Sequence, residues 1–131
     1  MTNVSHSTTT LPEAHANTAG IVMVRDRNFV FAERSIKHSI ELNPNFQEAH
    51  HIYSFHLAVR SKFEESIHEA QKAIELDPFS VRLNHHLGMT YYLARKFDDA
   101  ITQFKQAIEL DPKNPHLHES LGDAYEQRHI V

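Results

Sequence analysis

Apolar residues recur along this chain at three- and four-residue steps, separated by short polar joins. That is the periodicity of amphipathic helices, not of strands. Leu83, Leu87, Tyr91 and Ala94 make one stripe, and Phe97, Ala100, Ile101, Phe104, Ala107, Ile108 and Leu110 make the next. The join around Arg95-Lys96 suits an antiparallel helical hairpin. Pro78 and Pro112 each end a helix, because proline has no N–H to donate and disfavours the helical region for its predecessor.

The hairpin repeats. Ile40-Glu41-Leu42-Asn43-Pro44 returns as Ile74-Glu75-Leu76-Asp77-Pro78 and again as Ile108-Glu109-Leu110-Asp111-Pro112, 34 residues apart each time. Phe29, Phe63 and Phe97 keep the same beat, as do Ala32, Ser66 and Ala100, and Leu57, Tyr91 and Tyr125. The three glycines, Gly20, Gly88 and Gly122, fall on one 34-residue grid whose remaining point is Ser54. A small residue there lets the first helix of a unit approach the second, with the ring at 29, 63 or 97 expected nearby. A bulky substitute should overpack that contact and cost ~1–3 kcal/mol.

These motifs resemble the tetratricopeptide repeat (TPR) family. Leu87-Gly88, Tyr91, Ala100, Phe104, Ala107 and Pro112 match its pattern, with Asn84 standing in for the first large residue. The preceding unit matches through Tyr53, Leu57, Phe63, Ala70, Ala73 and Pro78, with Ser54 and Ser66 in the Gly and Ala positions. The first unit keeps Ala19-Gly20, Met23, Phe29, Ala32, Ile36 and Pro44, and the last piece keeps Leu121-Gly122 and Tyr125. The resemblance covers about residues 11–131. It implies an all-α fold, a right-handed superhelix (alpha-alpha solenoid) of stacked helix-turn-helix units. The expected repeats are about 13–46, 47–80 and 81–114, with a half repeat at 115–131, in a single domain that follows a disordered leader at 1–10. The phrasing of Glu48-Ala49-His50-His51 and of Leu93-Ala94-Arg95-Lys96-Phe97 is similar to repeat arrays attached to bacterial signalling proteins, such as cyclase-like or transcription-regulator chains.

Composition narrows the function. The 131 residues suffice for one domain with a real core. Thirteen Lys and Arg against seventeen Asp and Glu leave a formal charge of −4, which argues against a nucleic-acid binder needing a basic face. With no Cys, disulfides and thiolate metal sites are excluded. No stretch approaches the ~20 apolar residues that span a bilayer, and the start of the chain lacks the basic and apolar regions of a signal peptide. The expected location is cytoplasmic, away from membranes. No catalytic motif stands out: the glycines are used by the repeat, and H-E-x-x-H is absent. Glu64-Glu65 and Asp98-Asp99 fall at the starts of second helices, where they complement the macrodipole. Neither an enzyme nor a cofactor is expected.

Stacked hairpins present a concave surface, and the resemblance implies that the first helices line it. The lining then comprises Asn17, Ile21 and Val24, then His51, Phe55 and Val59, then Arg82, His85, Met89 and Tyr92, and finally Glu119, Asp123 and Glu126. Such a groove is apolar in the middle and acidic toward one end, and suits a protein or peptide partner with apolar anchors and a basic flank. The plainer reading is that Phe55, Val59, Met89 and Leu93 only pack between neighbouring first helices. Part of the family captures heat-shock chaperone carboxylates with a Lys/Asn/Arg clamp. The corresponding Asn17, Ile21, Ile52, Arg82 and His86 match it only at Arg82, so that activity is not expected.

The alternative role is structural or regulatory, through self-association or as part of a larger signalling protein, and the last half unit suggests where self-association would occur. Leu121 and Tyr125 keep positions that normally meet a following second helix, so these two and Ile130 are candidates for an end-to-end homodimer. The twelve histidines invite a metal hypothesis, but no pair has the three- or four-residue spacing of one helix face. Between helices, His51 and His85 should lie ~10 Å apart, too far to share zinc at ~2.1 Å each. The same histidines imply pH sensitivity, since full protonation adds twelve positive charges.

Overall fold

The computed structural model describes residues 29–130, which form six α-helices and no strand. These are α1 (Phe29–Leu42), α2 (Gln47–Val59), α3 (Phe63–Leu76), α4 (Val81–Leu93), α5 (Phe97–Leu110) and α6 (Pro115–Ile130). Each helix packs on the next, and α2, α4 and α6 also touch in series. The chain is therefore an all-α helical-repeat solenoid. The leader at 1–10, the first helix expected in the 13–46 unit with Gly20, and Val131 lie outside the described residues.

The joins follow from backbone geometry. Ser61 and Arg95, 34 residues apart, both take the left-handed conformation, with φ of 62° and 64°. After α2, Lys62 N–H bonds Leu57 C=O at 2.8 Å and Ser61 N–H bonds Ala58 C=O at 2.9 Å. After α4, Lys96 N–H bonds Tyr91 C=O and Arg95 N–H bonds Tyr92 C=O in the same way. Both first helices thus end in a Schellman motif, made here without the glycine that usually relieves the left-handed residue. Glu64 and Glu65 then open α3, and Asp98 and Asp99 open α5, next to the exposed N–H groups.

The core is a chain of clusters handed from hairpin to hairpin. Ala32 and Ile36 pack with Ile52 and Tyr53. Ile67, Ala70 and Leu87 pack with Ile74 and Tyr91. Ala100, Ile101, Phe104 and Ala124 pack with Met89, Tyr91 and Leu121. The glycine contact differs from the expectation in its partner. A Cβ at Gly88 would collide with Cε1 of Phe104, whereas Phe97 packs edge-on against Tyr92 at 5.5 Å. The ring two helical turns further along α5 fills the space, because it projects across the helix crossing while residue 97 sits at the helix entrance.

Position 50/84/118 shows polar chemistry that the sequence pattern concealed. Asn84 is buried, donating through Nδ2 to Pro78 C=O at 3.1 Å and accepting from Gln103 Nε2 at 2.6 Å. His50 occupies the same place one repeat earlier, between Pro44 C=O and Glu69, each at 2.7 Å. His118 donates through Nε2 to Pro112 C=O at 2.7 Å. A polar side chain therefore ties each first helix to the proline turn before it. Asn84 replaces a large residue with hydrogen bonds, which is why the apolar pattern fades there.

Candidate partner-binding groove

Equivalent positions of α2, α4 and α6 line up as rungs: His51, His85 and Glu119; Phe55, Met89 and Asp123. Phe55, Val59 and Leu93 are 45%, 49% and 49% exposed, so they are not consumed by packing between first helices. Met89 is half-buried against the Phe104 cluster, and Tyr92 against both that cluster and Phe97. The anchors expected in the middle are present as accessible apolar surface, except that Met89 and Tyr92 also serve the core. Asn17, Ile21 and Val24 lie outside the described residues.

Arg82 is not a free cation. It donates to Glu48 at 2.6 Å and meets His51 Nδ1 at 2.7 Å. Beneath it, the rings of His51 and His86 stand edge to face at 4.5 Å. Neighbouring-repeat imidazoles therefore can come closer than their helix axes: the ring that meets His51 is His86, a pair the sequence reading did not consider. Two side chains extending toward each other shorten the gap left by their helix axes. No group of three or more His, Asp or Glu able to hold a metal ion occurs among the described residues.

His86 Nε2 lies 2.8 Å from Ser54 Oγ. Ser54 also donates to Ser66 C=O at 2.8 Å, while Ser66 donates to Ser54 C=O at 2.7 Å. The two small residues at this helix crossing thus trade hydroxyls for each other's carbonyls. The Ser–His pair has the distance of a nucleophile and its base, but Ser54 is fully buried, so no substrate atom can approach it. Burial, then the charges of His51 and Arg82, pushes His86 down to about 3. Burial also lowers His51 and His85, so these three imidazoles are uncharged at neutral pH.

Between α4 and α6 the groove deepens into a cavity of about 280 Å³, lined by His85, Met89, Tyr92, His116, Glu119, Ser120 and Asp123. Five of the residues expected to line the groove meet here. His85 Nε2 lies 2.9 Å from Ser120 Oγ across its floor. Glu126 is exposed further along α6. Sequence reasoning missed His116 and Ser120, although both follow from adding 34 to Arg82 and His86.

The self-association candidates divide. Leu121 is half-buried against the preceding hairpin, not turned to the open side of α6. The Tyr125 ring sits between Lys105 Nζ at 5.6 Å and the Arg128 guanidinium at 5.2 Å. Ile130 is 69% exposed, and a Cβ at Gly122 would meet nothing within 4 Å.

Residues 95–128 match the family model for the TPR repeat. Among solved structures, the chain resembles the first TPR domain of Spaghetti (RPAP3) bound to the HSP90 peptide SRMEEVD, at a TM-score of 0.79 and 13% identity. That match covers 88% of this chain and 90% of that one. It also resembles the Arabidopsis OM64 TPR domain, at a TM-score of 0.76 and 16% identity, covering 88% of this chain and 94% of that one. No curated protein matches in sequence. Together these findings show the fold, an all-α helical-repeat solenoid like that of TPR domains, with residues 95–128 matching one TPR repeat. No helix among the described residues is long and apolar enough to cross a membrane.

Proposed function

We propose that this protein is a protein-interaction scaffold that receives an extended segment of a partner along α2, α4 and α6. The observation that carries the reading is the exposure of three apolar side chains on first helices, Phe55 and Val59 on α2 and Leu93 on α4, together with the cavity between α4 and α6. Aromatic and thioether anchors beside a polar rim are the composition of a recognition surface. The likeness to a domain bound to an HSP90 peptide supports a peptide-binding use of the fold. The acidic ligand of that domain is a poor guide to this one. Arg82 is committed to Glu48, His86 is half-buried and neutral, and the far rung carries Glu119 and Asp123. The test is co-purification from the parent organism, comparing the native chain with a variant carrying Phe55→Ser, Met89→Gln and Tyr92→Ser. Loss of a specific partner with helicity retained supports the reading, and retention of that partner contradicts it.

A second reading, end-to-end self-association through α6, is favoured by the open surface at Gly122 and the exposure of Ile130. Light scattering that finds a monomer at millimolar concentration, unchanged by Tyr125→Lys, contradicts it.

A further inference from the structure

We propose that the cavity between α4 and α6 receives a cationic side chain, arginine or lysine, from the partner segment. This inference rests on the groove reading above and deepens it.

The cavity exists because two rungs of the repeat differ. At the earlier rung the slot beside Ser54 is filled by His86, and Arg82 closes over it through Glu48. One repeat on, Ser120 stands where His86 stood and His116 where Arg82 stood. The smaller hydroxyl leaves the slot unfilled and spans its floor only through His85. At about 280 Å³ the space is below the ~300–1,000 Å³ of pockets that enclose a whole small molecule, and is sized for one side chain.

Its chemistry selects the sign of that side chain. Glu119 and Asp123 lie on the α6 wall, and neither makes an ion pair among the described residues. Elsewhere, Glu48 is neutralised by Arg82 and Asp98 by Arg128. In the hollow of about 310 Å³ between α2 and α3, Glu64 pairs with Lys96 and Glu69 with His50, which leaves Glu65 as its one carboxylate outside an ion pair among the described residues, against two in the α4–α6 cavity. On the α4 wall, the His85 imidazole is held uncharged by burial, so it does not offset the two carboxylates. Met89 and Tyr92 supply a soft, aromatic surface for an aliphatic stem and a cation. A hollow of about 480 Å³ along α1 has no such contrast: Arg34, Lys37 and Glu41 mix both signs on one helix.

The probe is a random dodecapeptide phage library panned against the full chain, the Phe55/Met89/Tyr92 variant, Glu119→Gln/Asp123→Asn, and Ser120→His. The expected result is enrichment of peptides with one fixed arginine or lysine beside apolar residues. Replacing that residue by citrulline or norleucine should weaken binding ~10-fold or more, as loss of a charge-assisted hydrogen bond does. Glu119→Gln/Asp123→Asn should weaken it comparably, and Ser120→His should block it by filling the slot. Both variants should keep native helicity and unfolding midpoint, since both acids are exposed and Ser120 borders the cavity. Apolar or acidic peptides that need Phe55 and ignore Glu119 and Asp123 would overturn this inference and leave the groove reading standing. Enrichment independent of the groove residues, or none at all, would overturn both.

Discussion

His50 and Glu69, nineteen positions apart in sequence, meet at 2.7 Å in a buried contact between α2 and α3. The other ring nitrogen of His50 faces Pro44 C=O, also at 2.7 Å. Both neighbours are acceptors, so only the doubly protonated imidazolium satisfies them. The hydrogen bond to Glu69 raises the His50 pKa, with burial opposing it and the Pro44 carbonyl assisting. Glu69 is lowered: burial works to raise it, and the hydrogen bond and charge of His50 outweigh that effect.

The sign of the pH dependence follows. A raised His50 stabilises fully below its unfolded value of 6.5, and that contribution fades as pH rises through the folded value. A lowered Glu69 stabilises above 4.5 and is lost as pH falls through its folded value. The pair therefore contributes most between about 4.5 and 6.5. Glu69→Ala should cost ~3 kcal/mol near pH 6, the order expected for orphaning a buried charge. His50→Asn/Glu69→Gln, the pair already present at 84 and 103, should remove this component of the pH profile. Urea midpoints from pH 5 to 8 for the native chain and both variants measure it.

His86 works in the opposite direction. Its folded pKa of about 3 lies below 6.5, so the stability tied to its neutral form is complete above 6.5 and erodes as pH falls toward 3. At pH 5 the erosion should be ~2 kcal/mol, from ~1.4 kcal/mol per pH unit. Burial of His51 and His85 adds to the same slope. The native chain should thus melt at lower temperature at pH 5 than at pH 7.5. His86→Ser, the residue found at 120, should flatten that difference while lowering the midpoint at pH 7.5. Calorimetry at the two pH values reads both effects.

Gly88 and Gly122 share a repeat position but not an environment. Gly88→Ala drives a methyl into Phe104 and should cost ~1–3 kcal/mol. Gly122→Ala meets nothing and should gain ~0.5–1 kcal/mol, the helix advantage of alanine. Equilibrium denaturation of the two single variants should give opposite signs.

Ser61→Gly should stabilise by ~0.5–1 kcal/mol, because glycine takes the left-handed conformation that serine occupies with strain. Arg95→Gly should gain less, since it also removes the guanidinium lying 5.6 Å from the Phe97 ring. A chemical-denaturation midpoint that drops for Ser61→Gly would show that the Schellman join is not strained.

Much of the fold was legible because the repeat constrains it redundantly. Pro78 and Pro112 mark turns, and the stripes from Leu83 to Ala94 and Phe97 to Leu110 fall on the observed helices α4 and α5. Periodicity did not reveal what side chains do once helices are adjacent. Asn84 reads as a weak match, yet it is a buried hydrogen-bonding hub, because a polar group can replace packing volume when partners 19 residues away complete it. Phe104, not Phe97, meets Gly88, since helix crossing geometry and not sequence proximity decides contact. The α4–α6 cavity was half legible. Its acids and Met89 and Tyr92 were foreseen, but the slot depends on Ser120 replacing a histidine, a difference between repeats that a search for likeness passes over.

Partner binding along α2, α4 and α6 is the central proposal, and site-specific photocrosslinking tests it most directly. A benzoylphenylalanine placed at Phe55 or Leu93 should attach covalently to the native partner. The same group at Glu75 or Glu109, exposed on the second helices α3 and α5, should not. Crosslinks confined to Glu75 and Glu109, with Phe55 and Leu93 silent, would contradict the account.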